Sequence, residues 1–228
     1  MEPLVSILIT TYNRPIDLVR AIKSAINQTY ENIEIVITDN SANNDSKRLI
    51  EDLFSINSKV KYFSNEKNIG AVANWRKALE WANGIYCVIL PDDDYFINCF
   101  YIEDAIKIIA RDNTDLLITA CCYGHSESKI SCSSIQQKLL VNGVEFYQNF
   151  WEKYRVSTIA NVFSKELALK MKAFSNIRIL YSDIELWLKM ASVTNVSYYN
   201  IPSVYYKFHN KNIVTNMSVV SLIESAKE

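Results

Sequence analysis

Between residues 4 and 90 the chain alternates short apolar runs, rich in β-branched residues, with longer segments of helical periodicity. The helical segments begin at Pro15, Asp45 and Ala71, and the connections between segments are short. Such alternation predicts right-handed crossovers and a parallel sheet covered by helices. The strand-like runs are LVSILITT (4–11), IEIVITD (33–39), KVKYF (59–63) and IYCVIL (85–90).

Local signals mark the ends of these helices. Pro15 suits the first position of a helix, Asp45 suits an N-cap, and Gly84 suits a glycine that closes a helix over 71–83. The second half is less regular, and we find no repeat or linker, which predicts one domain over 1–228. Its predicted helices are 100–112, 144–154, 165–174 and 183–191, and its predicted strands are 115–122, 158–163, 196–200 and 203–208.

Composition excludes several classes of protein. Hydrophobic residues form 49% and charged residues 21% of the 228 residues, which is typical of a globular domain. The net charge of -1 provides no basic surface, so we expect no nucleic-acid partner. No apolar stretch reaches the roughly 18 residues of a membrane span, and the N-terminus lacks the pattern of a signal peptide.

The cysteines predict neither a disulfide framework nor a zinc site. They are odd in number and lack CxxC spacing. We therefore expect reduced thiols and a cytoplasmic location. The five are Cys87, Cys99, Cys121, Cys122 and Cys132.

Polar clusters follow three of the predicted strands. They are TTYNR (10–14), DNS (39–41) and PDDD (91–94). Ligands of open parallel sheets bind at the carboxyl ends of the strands, so we expect these clusters to converge on one binding crevice. The aspartates suit Mg²⁺ or Mn²⁺, which prefer oxygen ligands. A solvated acidic turn is the alternative.

The segments SILITTYNR, VITDNS, NEKNIG, NGIYCVILPDDD, SDIELWLKMA and YYKFHN resemble, in order and spacing, the family 2 glycosyltransferases with the GT-A fold. The resemblance covers residue 4 to about 215. It implies an α/β fold, in which a Rossmann-like, mostly parallel sheet is flanked by helices and joined to a smaller mixed acceptor-side half. The implied parts are a nucleotide-sugar-binding half (1–95), an acceptor-binding half (96–215) and a tail (216–228).

The resemblance implies that the loop after the first strand holds the nucleotide, through Thr11, Tyr12, Asn13 and Arg14. The Tyr12 ring can stack on a base, and Asn13 can donate and accept hydrogen bonds. The alternative for Asn13 is an N-cap ahead of the helix that Pro15 opens.

Further donor contacts are implied for Asp39, Asn68, Gly70 and Asn74. Asp39 matches the aspartate that accepts a hydrogen bond from the base, although a strand-end turn is the alternative. The family arginine near here is displaced, so either Asn74 or Arg76 would face the donor.

The resemblance also implies a cation site. Relatives often read Leu-Asp-x-Asp-Asp, whereas this chain has Pro91 before Asp92, Asp93 and Asp94. Asp93 is the expected direct ligand, and Asp92 supplies a second carboxylate to water or to ribose. His209, in YYKFHN, matches a histidine near the diphosphate and metal, so Asp92, Asp93, Asp94 and His209 form the expected ligand set for Mn²⁺ or Mg²⁺.

Asp183, in YSDIELWL, matches the acidic residue that activates the acceptor. The alternative is structural, because Ser182 and Glu185 form a capping-box pattern that places Asp183 in the first helical turn. The two roles can coexist, since a capped helix would hold the carboxylate in place.

Together these features imply an inverting, metal-dependent glycosyltransferase. The resemblance implies that it moves a sugar from a nucleoside-diphosphate sugar, expected to be UDP-linked, to a hydroxyl of a glycan or lipid-linked acceptor in bacterial cell-surface polysaccharide synthesis. A non-catalytic nucleotide-sugar-binding or scaffold paralogue is the alternative. A lipid-linked acceptor would bring the protein into peripheral contact with the inner face of the membrane. The sequence leaves open whether the protein forms a homodimer.

Overall fold

The fold was analysed in a computed structural model, which describes residues 2–126, 129–132, 138–150, 152–154, 159–175 and 181–208. The strands are β1 (Val5–Thr11), β2 (Ile33–Asp39), β3 (Val60–Ser64), β4 (Tyr86–Ile89), β5 (Tyr95–Phe96), β6 (Leu116–Ser126), β7 (Lys129–Cys132), β8 (Leu140–Val141), β9 (Val162–Ser164) and β10 (Val196–Lys207). The helices are α1 (Pro15–Ile26), α2 (Asp45–Phe54), α3 (Ala71–Trp81), α4 (Tyr101–Asp112), α5 (Gly143–Gln148), α6 (Lys165–Lys170) and α7 (Ser182–Ala191).

These ten strands form one sheet, in which eight follow the order β3-β2-β1-β4-β9-β6-β10-β5, while β7 pairs with β6 and β8 pairs with β10. The first four are parallel to one another, as the alternation of strands and helices predicts. β9 is antiparallel to both of its neighbours, whereas β6 and β10 pair in parallel. The predicted α/β fold, with a parallel half and a smaller mixed half, is confirmed.

The central strands are buried on both faces. Along β1, Ile7 and Ile9 pack in one hydrophobic cluster and Leu8 packs in the other. The first cluster contains the buried faces of α1 and α4, and the second contains those of α3, α5 and α7. Each helix layer therefore covers one face of the sheet.

Three local predictions about helix ends are wrong. Asp45 and Ser182 are the first residues of α2 and α7, and neither helix has a side-chain N-cap. Gly84 lies beyond the end of α3, where a Cβ atom would come within 2.6 Å of Ser6 Oγ and 2.8 Å of the Leu4 carbonyl oxygen. Gly84 is therefore needed for a close approach to β1, not for ending a helix.

The second half also differs from the prediction. The two strands expected at 196–200 and 203–208 are one strand, β10, with a register shift between Tyr199 and Val204. The helix expected over 144–154 ends at Gln148. No helix in the described part of the chain is both long and apolar enough to span a membrane.

The prediction of five reduced thiols is wrong for two of them. Cys122 and Cys132 form a disulfide bond. They face each other across the antiparallel pair β6–β7. The sequence does not predict this pairing, because the two cysteines are not in a CxxC spacing. Their alignment depends on the register between β6 and β7. Cys87, Cys99 and Cys121 are outside this disulfide.

Candidate active site

The three polar clusters meet at one edge of the sheet. β1 ends at Thr11, β2 ends at Asp39, and the acidic run follows β4. The Thr11 hydroxyl donates to Asp92 Oδ2 at 2.6 Å, which joins the first cluster to the third. The Asn13 amide donates to Ser41 Oγ at 2.8 Å, which joins the first to the second. The expected crevice therefore lies at the carboxyl ends of parallel strands.

The acidic cluster consists of Asp92, Asp93 and Asp94, all of which are buried. Arg14 lies among them, with its Nη1 atom 3.0 Å from Asp92 Oδ1 and 2.7 Å from Asp93 Oδ2. Burial and repulsion from Asp93 raise the pKa of Asp92 to about 6, although Thr11 and Arg14 oppose this change. The cluster is thus held together by a positive charge from the loop after β1.

Asp94 is the most enclosed of the three carboxylates. Its Oδ1 atom accepts a hydrogen bond from the Lys207 backbone amide at 3.0 Å. Its Oδ2 atom is buried without a hydrogen-bond partner. Burial and the negative charge of Asp93 raise the pKa of Asp94 well above its usual range. An oxygen in this state is suited to accept a proton or a cation.

Further charged side chains surround the cluster. Arg20 donates to the main-chain carbonyl of Asp93 at 3.0 Å and pairs with Asp17 at 2.9 Å. The Lys207 side chain pairs with Asp17 at 3.1 Å. The end of β10 is therefore fixed to α1 beside the acidic cluster.

The second cluster holds Asp39 in place. Its Oδ1 atom accepts from the Ser41 amide at 2.7 Å, and its Oδ2 atom accepts from the Tyr62 hydroxyl at 2.7 Å. Tyr62 was not singled out from the sequence, because a tyrosine in a strand is ordinarily read as packing. Tyr12 is 50% exposed at the same edge, so its ring is open to a ligand.

Asn13 does not cap α1. It adopts a left-handed backbone with φ 55°, and Arg14 occupies the N-cap position without a side-chain hydrogen bond. Pro15 starts the helix, as predicted. The left-handed turn at Asn13 directs the chain from β1 into α1 and leaves Asn13 exposed.

Asn74 is buried, and its side chain is engaged within the protein. It donates to the Thr38 carbonyl at 3.0 Å and accepts from Asn65 at 2.8 Å. This geometry favours a role in holding the end of β2 over direct contact with a donor. Asn68 is exposed and accepts from the Gly70 amide at 2.9 Å, and Gly70 has φ 85° at the N-cap of α3.

The neighbours of Asn74 on α3 have structural contacts. Arg76 is exposed and pairs with Glu80 at 3.4 Å. Trp75 packs against the core and donates to Thr10 Oγ1 at 3.0 Å. Whether Asn74 or Arg76 faces the donor stays a prediction.

Asp183 lies in the first turn of α7 and is buried. Its Oδ1 atom accepts from the Ile184 amide at 2.8 Å. The expected capping box is absent, because Ser182 Oγ has no partner and Glu185 pairs with Lys189. The predicted position of Asp183 in the first helical turn is confirmed, but the capping box that was expected to hold this turn is not formed.

Tyr206, on β10, connects Asp183 to the acidic cluster. Burial, together with the negative charges of Asp94, Asp93 and Asp183, raises the pKa of the Tyr206 hydroxyl to about 12. All three carboxylates therefore lie within electrostatic range of one phenol. This residue was missed at the level of sequence, where it is one of several tyrosines in β10.

The carboxylates were tested for their fit to a divalent cation. In the described ranges, no three His, Cys, Asp or Glu side chains form a ready-made metal cage. Mg²⁺ and Mn²⁺ sites completed by substrate phosphates need only one or two carboxylates, and Asp94 Oδ2 is a buried oxygen without a donor. The residues fit a cation of that kind. His209 lies outside the described residues.

The sheet order, the site at its carboxyl edge and the mixed second half define the GT-A class of glycosyltransferase fold. A crystal structure of Staphylococcus aureus TarS (residues 1–349) in complex with UDP-GlcNAc superposes with a TM-score of 0.76 at 16% identity, over 95% of this chain and 62% of that one. The chain belongs to glycosyl transferase family 2, whose model matches residues 6–165.

Named relatives fall in the same group. A GalNAc(5)-diNAcBac-PP-undecaprenol beta-1,3-glucosyltransferase of Campylobacter jejuni is 32% identical over 42% of this chain and 31% of its own length. The Escherichia coli enzyme WfgD, a UDP-Glc:alpha-D-GlcNAc-diphosphoundecaprenol beta-1,3-glucosyltransferase, is 27% identical over 86% of this chain and 73% of its own length. The match thus spans about a third of the Campylobacter relative.

Proposed function

We propose that this protein is an inverting glycosyltransferase that moves a sugar from a UDP-sugar to a hydroxyl of a lipid-linked glycan in bacterial cell-surface polysaccharide synthesis. The observation that carries the proposal is the meeting of Thr11, Asp39 and the acidic cluster at one sheet edge, in a chain of this family. The undecaprenol-linked substrates and beta linkages in the relatives' names support the acceptor and the stereochemistry.

The donor would bind across the ends of β1 and β2. The exposed Tyr12 ring offers a stacking surface for uracil. Asp39 would accept a hydrogen bond from the base while Ser41 and Tyr62 hold its carboxylate. Arg14 lies where its guanidinium can reach a pyrophosphate, the group that arginine binds in a bidentate manner.

Asp183 would act as the general base. It would take the proton from the acceptor hydroxyl as that oxygen attacks the anomeric carbon from the side opposite the leaving group. Its hydrogen bond from Ile184 limits its rotation, so the other oxygen keeps a fixed direction. Asp92, Asp93 and Asp94 would hold a divalent ion. Such an ion, when bound, supplies positive charge that stabilises the leaving nucleoside diphosphate.

Ligand-induced stabilisation and one substitution test this proposal. UDP with Mn²⁺ or Mg²⁺ should raise the melting temperature more than dTDP, GDP or CDP, because a ligand that binds only the folded state stabilises it. Asp183→Asn should reduce transfer by at least about 100-fold and keep the UDP-induced shift. Glu185→Gln, in the same turn of α7, is the matched control and should retain transfer.

The alternative, a non-catalytic binding paralogue, gives a different pattern. It would show the UDP-induced shift without any transfer by the native protein. Transfer that survives Asp183→Asn would refute the base, and the absence of a shift with every nucleotide would refute the donor.

We further propose that the protein works at the cytoplasmic face of the membrane, where lipid-linked acceptors of this kind would be met. The relatives' undecaprenol-linked substrates support this location. The Cys122–Cys132 bond weighs against it, because disulfides persist mainly in oxidising compartments.

A further inference from the structure

The positive charge inside the acidic cluster belongs to the protein itself. One nitrogen atom, Arg14 Nη1, lies within 3.0 Å of both Asp92 and Asp93. Two buried carboxylates this close together attract positive charge, so a divalent ion would bind the same oxygens that Arg14 contacts. A second cation at the same oxygens would be repelled by the guanidinium at close range. Arg14 and a divalent ion therefore compete for these carboxylates.

The side chain of Arg14 can move while its backbone stays. Its carbonyl accepts from Leu18 in the first turn of α1, and the preceding residue is fixed by the Asn13–Ser41 hydrogen bond. The Arg14 side chain is 24% exposed, so it reaches the cluster from the open side of the crevice. A long side chain anchored in this way can change rotamer without unfolding the loop.

The other basic groups contact the cluster differently. Arg20 reaches Asp93 through its main-chain carbonyl, and its guanidinium also pairs with Asp17. Lys207 contacts Asp94 through its own main-chain amide. These contacts brace the backbone, and they do not occupy the carboxylate oxygens that Arg14 bridges.

We propose that Arg14 is an internal counter-ion that holds Asp92 and Asp93 in the donor-free protein and leaves them when a divalent cation arrives with the donor. The proposal rests on the proposed function, because it takes the donor to be a nucleoside-diphosphate sugar. Once displaced, the guanidinium turns to the pyrophosphate of the donor, which arginine binds in a bidentate manner. Arg14 thereby couples cation binding to nucleotide binding, since the cluster is not left without a positive charge in either state.

Mn²⁺ titrations followed by electron paramagnetic resonance test this exchange without any transfer reaction. In the absence of nucleotide, Arg14→Gln should bind Mn²⁺ about tenfold more tightly than the native protein, because the competing charge is gone. Arg14→Lys keeps the charge but cannot bridge two carboxylates in the same way, so its affinity should lie between the two. Arg20→Gln, the matched control, should stay within about twofold of the native protein, because Arg20 does not touch the carboxylate oxygens.

Two results would overturn the exchange. One is an Arg14→Gln protein that binds Mn²⁺ no more tightly than the native protein, with Arg14→Lys unchanged as well. The other is an equal gain in Arg20→Gln, which would show a net-charge effect. The metal requirement of the proposed function fails separately, if native protein saturated with UDP binds no Mn²⁺.

Discussion

At the scale of single residues, the site depends on side chains that hold other side chains. Asp39 is the expected contact to the base, but its position is set by the Tyr62 hydroxyl and the Ser41 amide. Burial and this hydrogen bond raise the pKa of Tyr62, so its hydroxyl stays protonated and donates over the whole physiological range. Under the proposed function, Tyr62 is therefore a positioning residue for the nucleotide.

We expect Tyr62→Phe to weaken UDP binding about tenfold and to lower the free energy of unfolding by about 1 kcal/mol, since one oxygen of a buried carboxylate loses its donor. Calorimetric titration with UDP and urea unfolding measure the two effects. Tyr30→Phe is the control, because the Tyr30 hydroxyl donates to the Pro3 carbonyl at 2.7 Å, away from the crevice. Tyr30→Phe should lower the free energy of unfolding without weakening UDP binding. An equal loss of affinity in both variants would contradict the assignment.

At the scale of elements, β2 carries a charge inside the sheet. Glu34 is buried and accepts from Ser6 Oγ at 2.5 Å, from Lys61 Nζ at 2.6 Å and from the Asn83 amide at 2.5 Å. Burial would raise the pKa of Glu34, but the hydrogen bonds from Lys61, Ser6 and Asn83 lower it to about 2. The carboxylate thus ties β1, β3 and the segment before β4 to β2.

This pKa makes the stability contribution of Glu34 depend on pH. The group is charged in the unfolded chain above about pH 4.3, so its stabilisation is complete above that value and is lost as the pH falls towards 2. Glu34→Gln should lower the free energy of unfolding by about 1–3 kcal/mol at neutral pH, and the difference from the native protein should shrink in acid.

Urea unfolding at a series of pH values measures this difference. The control is Glu31→Gln, whose exposed carboxylate pairs with Lys59 at 3.0 Å and should contribute little. A Glu34→Gln difference that stays constant from pH 7 to about pH 2 would refute the pKa argument.

At the scale of the whole molecule, the two halves share their cores. The cluster built on Ile7 and Ile9 also contains Leu117, Val162 and Val204 from the second half. α5 packs on α7 at Gly143, where a Cβ atom would lie 2.0 Å from the Ala191 and Thr194 carbonyl oxygens. This continuity favours the prediction of one domain.

Gly143→Ala should therefore destabilise the entire chain, by about 1–3 kcal/mol, because the backbone of α5 must move away from α7. Circular dichroism and tryptophan fluorescence should report the same lowered midpoint. Val144→Ala, at an exposed neighbour, should leave the midpoint nearly unchanged. Separate transitions by the two probes would indicate that the halves unfold independently.

The sequence alone determined the alternation of elements in the first half and the meeting of the polar clusters. Both follow from local physics, because hydrophobic periodicity selects strand or helix, and parallel strands must end at one edge. The bounds of β1 and β2 and the first residues of α1 and α2 therefore agree with the prediction to within a residue or so. The capping-box pattern also placed Asp183 in the first turn of α7, although the box itself is not formed.

Only the tertiary structure decided which groups touch. The Arg14 bridge and the Tyr62 support of Asp39 join residues that are distant in sequence, and the Cys122–Cys132 bond depends on the register between β6 and β7. No local pattern encodes such contacts, because strand order and register bring the partners together. The same reason explains Gly84, which must lack a side chain because it approaches β1 closely, and not because it ends α3.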